Sequence, residues 1–201
     1  EWHRMGAIKG IVYDYDGTTP ITNLFTEFGV AQNTHNLVLS VSTTSIITEC
    51  LAIKRKIEAE LGGMMYSNIR VLCSAGFFDS FTTHAMVVDA YRLYNNSSIL
   101  RADNRDGFHF AEMVWEEYRG NVSGQEFVEA NCAYAIPEGV PGMFVTKYAP
   151  ANYMETVNTI GLPRYAARES MDFNKGVEFE VQANPLHLNL RPRAVVKLTK
   201  S

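Results

Sequence analysis

The sequence predicts an α+β fold, and three observations carry that reading. Short extended runs open and close the chain, helical patterns lie between them, and no regular strand–helix–strand alternation joins the two. The strongest helical pattern covers residues 44–61. There Ile46, Cys50, Ile53, Ile57 and Leu61 recur three and four positions apart and share one face. The cleanest strand pattern is Val177-Glu178-Phe179-Glu180-Val181-Gln182, an apolar–polar alternation repeated in Leu186-His187-Leu188-Asn189-Leu190.

Taken in order, residues 7–13 and 18–25 read as two strands around a turn. Residues 29–43 are polar and Thr/Ser-rich, with a short apolar run at Leu37-Val38-Leu39. Ser42, Thr43 and Thr44 offer caps for the helix, and Gly62-Gly63 stops it. Lys54/Glu58 and Lys56/Glu60 are spaced for i,i+4 pairs in the weaker Lys-first orientation, a few tenths of a kcal/mol each (~0.2–0.5 at best). Residues 69–73 suit a short buried strand. Residues 75–81 and 85–94 suit helices, the second ended by Asn95-Asn96-Ser97-Ser98. Residues 108–118 are aromatic-rich and extended, and Gly139-Val140-Pro141-Gly142 is a loop with two turn signals. A short helix is expected over 153–159, capped by Asn152 and stopped by Gly161 and Pro163. A last strand covers 194–198.

A chain of 201 residues with 46% hydrophobic content buries a sizeable core. No run approaches the roughly 18 apolar residues of a membrane helix, and no signal-peptide pattern opens the chain. The formal charge of −4, with acids and bases interspersed, argues against a dedicated nucleic-acid binder and leaves room for loose contact with DNA. Cys50, Cys73 and Cys132 are odd in number and far apart, which suits buried thiols in a reducing compartment.

One stretch carries a chemical signature. Asp14-Tyr15-Asp16-Gly17-Thr18 resembles the D-x-D-G-T motif of haloacid-dehalogenase-type phosphatases, which would make Asp14 a nucleophile and Asp16 a proton shuttle. Such a site needs Mg²⁺ held by further acids at a later strand end. Asp79, Asp89 and Asp172 stand alone, and Asp103 and Asp106 follow no strand. The second reading is a hairpin turning on Asp16-Gly17, as in a type I′ turn. It requires a positive φ at Gly17 and places Asp14 and Asp16 in solvent or against a neighbour. The five histidines form no metal-binding pair, and Cys73 with His84 reads as a buried thiol rather than a nucleophile and base. Residues 120–124 read as a turn, and Phe108, Phe110, Trp115 and Tyr118 as core. No metal ion or other cofactor is expected.

The second half of the chain carries the blocks Tyr148-Ala149-Pro150-Ala151, Met154-Glu155-Thr156-Val157-Asn158-Thr159, the stretch 161–165, Gly176-Val177-Glu178, Asn184-Pro185-Leu186 and Arg191-Pro192-Arg193. On these blocks it resembles the lambda-type (E family) major capsid proteins of tailed bacteriophages and prophages. Val71-Leu72-Cys73-Ser74, Phe77-Phe78-Asp79, Trp115-Glu116-Glu117-Tyr118-Arg119-Gly120 and the opening thirty residues fit the same family in order.

The resemblance implies a Hong Kong 97-type major capsid fold: a spine helix, a β-rich peripheral domain, an axial domain and a projecting β-hairpin. Residues 1–28 would be a helix end and the hairpin, and 29–66 a peripheral part with the spine helix. Residues 67–161 would be mainly axial, and 162–201 strands returning to the peripheral domain. Tyr13, Asp14, Tyr15, Asp16, Gly17 and Thr18 would be the inter-subunit hairpin, and Gly139, Val140, Pro141 and Gly142 an axial loop. The implied function is structural and non-enzymatic, self-assembly through hexamers and pentamers into an icosahedral shell around phage DNA. The alternative is a magnesium-dependent phosphatase with Asp14 as nucleophile. Implied partners are further copies, scaffold, portal and decoration proteins, and loosely held DNA, with no membrane. The implied place is the virion capsid, built in the host bacterial cytoplasm. Family members run longer before the position of Glu1, which implies an arm and a helix running into Glu1-Trp2-His3-Arg4.

Overall fold

The structure, a computed structural model, describes residues 2–14, 16–94, 105, 107–122 and 124–200. Helix α1 (Trp2–Lys9) leads into a hairpin of β1 (Ile11–Tyr13) and β2 (Pro20–Asn23), then the single turn α2 (Leu24–Glu27) and β3 (Asn33–Asn36). The long helix α3 (Ile46–Leu61) precedes β4 (Asn68–Cys73), α4 (Ala75–Thr82) and α5 (Ala85–Tyr94). Strands β5 (Phe108–Phe110), β6 (Met113–Glu117), β7 (Asn121–Val122), β8 (Gln125–Glu126) and β9 (Cys132–Glu138) follow. The C-terminal part holds β10 (Phe144–Tyr148), β11 (Tyr165–Ser170), β12 (Val177–Gln182), β13 (Pro185–Asn189) and β14 (Val196–Thr199). Mixed helices and sheets bear out the α+β class. No helix among the described residues is long and apolar enough to cross a membrane.

A six-stranded mixed sheet in the order β3-β14-β9-β4-β6-β5 organises the core. Its centre is β4, antiparallel to β9 and parallel to β6. Period-two alternation sends Ile69, Val71 and Cys73 inward, while Asn68, Arg70 and Leu72 are half-buried on the other face. In register with Val71 lie Trp115 of β6 and Ala135 of β9, and Ala135 pairs on with Val196 of β14. All four are fully buried. On the opposite face Arg70 reaches across the strands, donating from Nε to Glu138 at 2.6 Å and from Nη1 to Glu116 at 2.6 Å.

Helix α3 buries the five residues that its periodicity selects, Ile46, Cys50, Ile53, Ile57 and Leu61. Burying side chains of this size contributes about 1.5–3 kcal/mol each before entropy is counted. The helix ends where Gly62 takes φ 61° and its N–H returns to the Glu58 carbonyl at 3.2 Å. The expected i,i+4 pairs give way to tertiary partners. Lys54 bonds Glu112, Lys56 bonds the Thr34 carbonyl and His35 Nδ1, Glu58 accepts from Tyr66, and Glu60 meets Arg193. A partner fixed by the fold costs an exposed lysine less entropy than a same-helix glutamate in the unfavourable orientation. The cap also differs: Ser45 occupies it with its hydroxyl bonded to the Thr48 hydroxyl at 2.9 Å rather than to a backbone amide, while the Thr44 hydroxyl donates to the Val38 carbonyl at 3.1 Å.

Several boundaries move for tertiary reasons. Residues 7–9 end a helix rather than begin a strand, because Met5, Gly6 and Ala7 are buried and the Gly10 N–H closes onto the Gly6 carbonyl at 2.8 Å. The returning strand stops at Asn23, whose Oδ1 accepts from the Phe25 and Thr26 amides and starts α2. The helix expected over 153–159 shrinks to the 3₁₀ turn Met154–Thr156, with Tyr153 rather than Asn152 at its cap. Pro192–Ala194 forms a 3₁₀ turn, so the last strand starts at Val196. Of residues 120–124, Asn121 and Val122 form β7 and pair with β8. The stop at Asn95-Asn96-Ser97-Ser98, the residues Asp103 and Asp106, Ser123, Glu1 and Tyr15 lie outside the described residues.

Candidate functional site

The acidic turn is a hairpin loop. Strand β1 pairs with β2 antiparallel, with Ile11 opposite Asn23 and Tyr13 opposite Pro20. The connection is therefore longer than the two residues of a type I′ turn. The Asp14 N–H donates to Thr19 O at 2.9 Å, and the Gly17 N–H to Asp14 O at 3.0 Å. Gly17 has φ 70°, as the hairpin reading requires.

Asp16 organises the loop. Its Oδ1 accepts from the Thr18 and Thr19 amides at 2.9 Å each, and its Oδ2 from the Thr19 hydroxyl at 2.6 Å. The Thr19 hydroxyl, then the Thr19 and Thr18 amides, hold this carboxyl well below the usual carboxylate range. A proton shuttle needs a pKa near the working pH, so this environment opposes that role. Asp14 and Asp16 are partly exposed, Thr18 is exposed and Gly17 is buried. Among the described residues no group of three or more His, Cys, Asp or Glu side chains could hold a metal ion.

Beside the loop, Lys9, Tyr13, Gly17, Gly124 and Glu129 line a cleft. Lys9 Nζ sits over the Tyr13 ring and 3.2 Å from Glu129. Burial pushes Glu129 up, but the Tyr134 hydroxyl, a backbone amide, Lys9 and Lys197 outweigh it and hold the carboxyl below its ordinary value. This cluster fastens elements together, and no sequence signal pointed to it.

The turn Gly139-Val140-Pro141-Gly142 joins β9 to β10. Gly139 has φ 78°, and a Cβ there would lie 2.7 Å from Ser67 Oγ. Gly142 has φ 66°, while Val140 packs against the core and Pro141 is exposed. The thiols are held protonated: burial pushes Cys50 up to about 12 and Cys73 well above its ordinary value. His84 is buried, and its Nε2 lies 3.0 Å from the Val41 carbonyl.

The feature the sequence understated is an arm between residues 144 and 190. Strands β10 and β13 pair antiparallel, and β11 and β12 continue as a second ribbon. The alternation in β12 suggests one face against the core, yet Phe179 and Val181 are each 72% exposed. Residues 149–164 fold back along this arm. The Ala149 N–H donates to Asn184 O at 3.0 Å, the Asn152 N–H to Gln182 Oε1 at 3.3 Å, and Asn184 Nδ2 to Pro150 O at 2.9 Å. Met154 and Ile160 on that segment are each 90% exposed.

Comparison with known proteins adds a family. The model described as phage major capsid protein E matches residues 1–200. A curated relative, the "Major capsid protein" of Pseudomonas phage KPP10, is 30% identical over 191 residues, which is 86% of this chain and 54% of the relative. The chain thus spans about half the length of that relative.

Proposed function

The chain belongs to the phage major capsid protein E family, and from that premise we propose that it is a structural, non-enzymatic shell subunit. The observation that carries the proposal is the match of the family model from end to end, residues 1–200. The phosphatase alternative draws no support from the relatives, and the acidic turn spends its second carboxylate on its own loop.

In this reading copies of the protein assemble, through hexamers and pentamers, into an icosahedral shell with a Hong Kong 97-type architecture. Helix α3 is the spine and the ribbon strands are peripheral. The turn at Gly139-Val140-Pro141-Gly142 is an axial loop, and Tyr13 to Thr18 a contact between subunits. Helix α3 supports its role by the tertiary ties of Lys54, Lys56 and Glu60 to three other segments. The formal charge of −4 supports loose, sliding contact with packaged DNA, since tight phosphate binding needs dense Lys and Arg. Scaffold, portal and decoration proteins are further proposed partners. The proposed place is the virion, after assembly in the host cytoplasm.

Electron microscopy of the purified protein across salt and concentration tests this. Shells, rings or capsomers are expected. A strictly monomeric protein under all conditions, or Mg²⁺-dependent phosphatase turnover abolished by Asp14→Asn, would overturn it.

A further inference from the structure

Val38 takes φ 48°, in the left-handed region, and among the described residues with a positive φ it alone has a branched Cβ. A left-handed backbone brings the Cβ of an L-residue against the following carbonyl oxygen, and a β-branched side chain has the least room to avoid it. Such a residue persists only where its surroundings over-determine it.

Two sets of bonds hold Val38. Locally, its N–H donates to Asn36 Oδ1 at 3.1 Å, and its carbonyl accepts from the Thr44 hydroxyl at 3.1 Å and from the Val41 N–H at 3.4 Å. The second tie comes from 43 positions away. His84, in the connection between α4 and α5, places Nε2 3.0 Å from the Val41 carbonyl. A carbonyl only accepts, so Nε2 is the donor. The ring is 4% exposed, and its Nδ1 has no partner among the described residues. The imidazole therefore carries a costly unpaired nitrogen while its other nitrogen grips Val41.

The ends of the segment are fixed independently. The Leu37 N–H donates to the Thr199 carbonyl at 3.0 Å, and Leu37 and Ile46 are fully buried. Between them Ser40, Val41, Ser42, Thr43 and Ser45 are exposed, and Leu39 is buried. A stretch with few buried contacts opens at less cost than the core around it.

We propose that residues 38–45 form a strap held closed against backbone strain, with His84 as the positioning residue that latches it. When the bond from Nε2 to Val41 is lost, Val38 returns to extended backbone and the entry to α3 opens. The sheet and the helix from Ile46 onward stay folded. This is a conformational step within one chain and stands apart from the shell reading.

Hydrogen exchange at the Val41 and Thr44 amides of the purified protein, at a fixed pH, tests this, with the amides of β4 as the core reference. His84→Leu keeps an apolar shape and removes the donor. It is expected to speed exchange at both amides by about ten-fold or more, as for one lost hydrogen bond, and to leave β4 unchanged. His84→Gln, which keeps an N–H donor, should stay close to the wild type. Val38→Asn relieves the strain, because asparagine tolerates a left-handed φ. It should slow exchange at both amides in the wild-type background and restore protection in His84→Leu. Unchanged exchange at Val41 and Thr44 in His84→Leu, equal acceleration of β4, or a His84→Gln protein as fast as His84→Leu would overturn the latch. A Val38→Asn protein that exchanges as fast as the wild type or faster would overturn the strain, whether or not His84→Leu folds.

Discussion

Lys9 donates from Nζ to the carbonyl oxygen of Phe127 at 3.0 Å, joining residues 118 positions apart. The contact pins α1 to the segment before β9, beneath the hairpin that carries the acidic turn. The Lys9 side chain is only 8% exposed, and Glu129 lies 3.2 Å away.

Lys9→Met therefore leaves a carbonyl and a carboxylate short of their cation. A loss of about 1.5–3 kcal/mol is expected, read as a lower urea midpoint. The pH dependence follows from Glu129, whose carboxyl is held below its ordinary value in the folded protein. Its stabilisation is complete above the unfolded carboxylate pKa and is lost as pH falls through the lowered one. The acid side of the stability profile of Lys9→Met should be shallower than that of the wild type. Parallel profiles would show that Lys9 does not tune Glu129.

Phe81 of α4 stacks on Trp115 of β6 with ring centroids 3.8 Å apart and planes at 18°, and both are fully buried. The Trp115 indole also donates to the Phe110 carbonyl at 3.2 Å. Trp115→Ala should cost about 3–5 kcal/mol in equilibrium denaturation followed by circular dichroism. A cost under about 1 kcal/mol would mean that this part of the core collapses around the cavity.

Asp16→Ala removes the acceptor of three donors in the hairpin loop. Amide hydrogen exchange at Thr18 and Thr19 should accelerate, with little change in global stability because the loop is exposed. In the wild type this protection should persist below the ordinary carboxylate pKa and disappear only as pH falls through the lowered value of Asp16. Unchanged exchange in Asp16→Ala would remove Asp16 as the loop's organiser.

At Gly161 an added Cβ would run into the backbone of Tyr148 and Ala149. Gly161→Ala should detach the 149–164 segment from the ribbon. Limited proteolysis there should be at least several-fold faster while the urea midpoint of the core stays put. A lowered midpoint with no new cleavage would place Gly161 in the cooperative core instead.

Much of the fold was legible locally. The inward face of α3 follows from a spacing of three and four, and its end at Gly62 from the only residue type that takes a left-handed φ without cost. The hairpin around Gly17 was legible for the same reason, but its loop length was not. That length depends on Asp16 bonding Thr18 and Thr19, a side-chain contact that competes with the tight turn. Residues 7–9 misread as strand because burial of Met5 and Ala7 against the fold outweighs local β preference.

The sequence by itself determined which face of the long helix is apolar, where that helix stops, and which family the chain resembles, because these depend on spacing along one segment. Only the tertiary structure decided what each face meets. Val71 and Val181 sit in equally good strand patterns, yet one is fully buried among Trp115 and Ala135 and the other is 72% exposed on the arm. Alternation makes a surface fit to be covered; whether this chain or another covers it depends on contacts far apart in sequence.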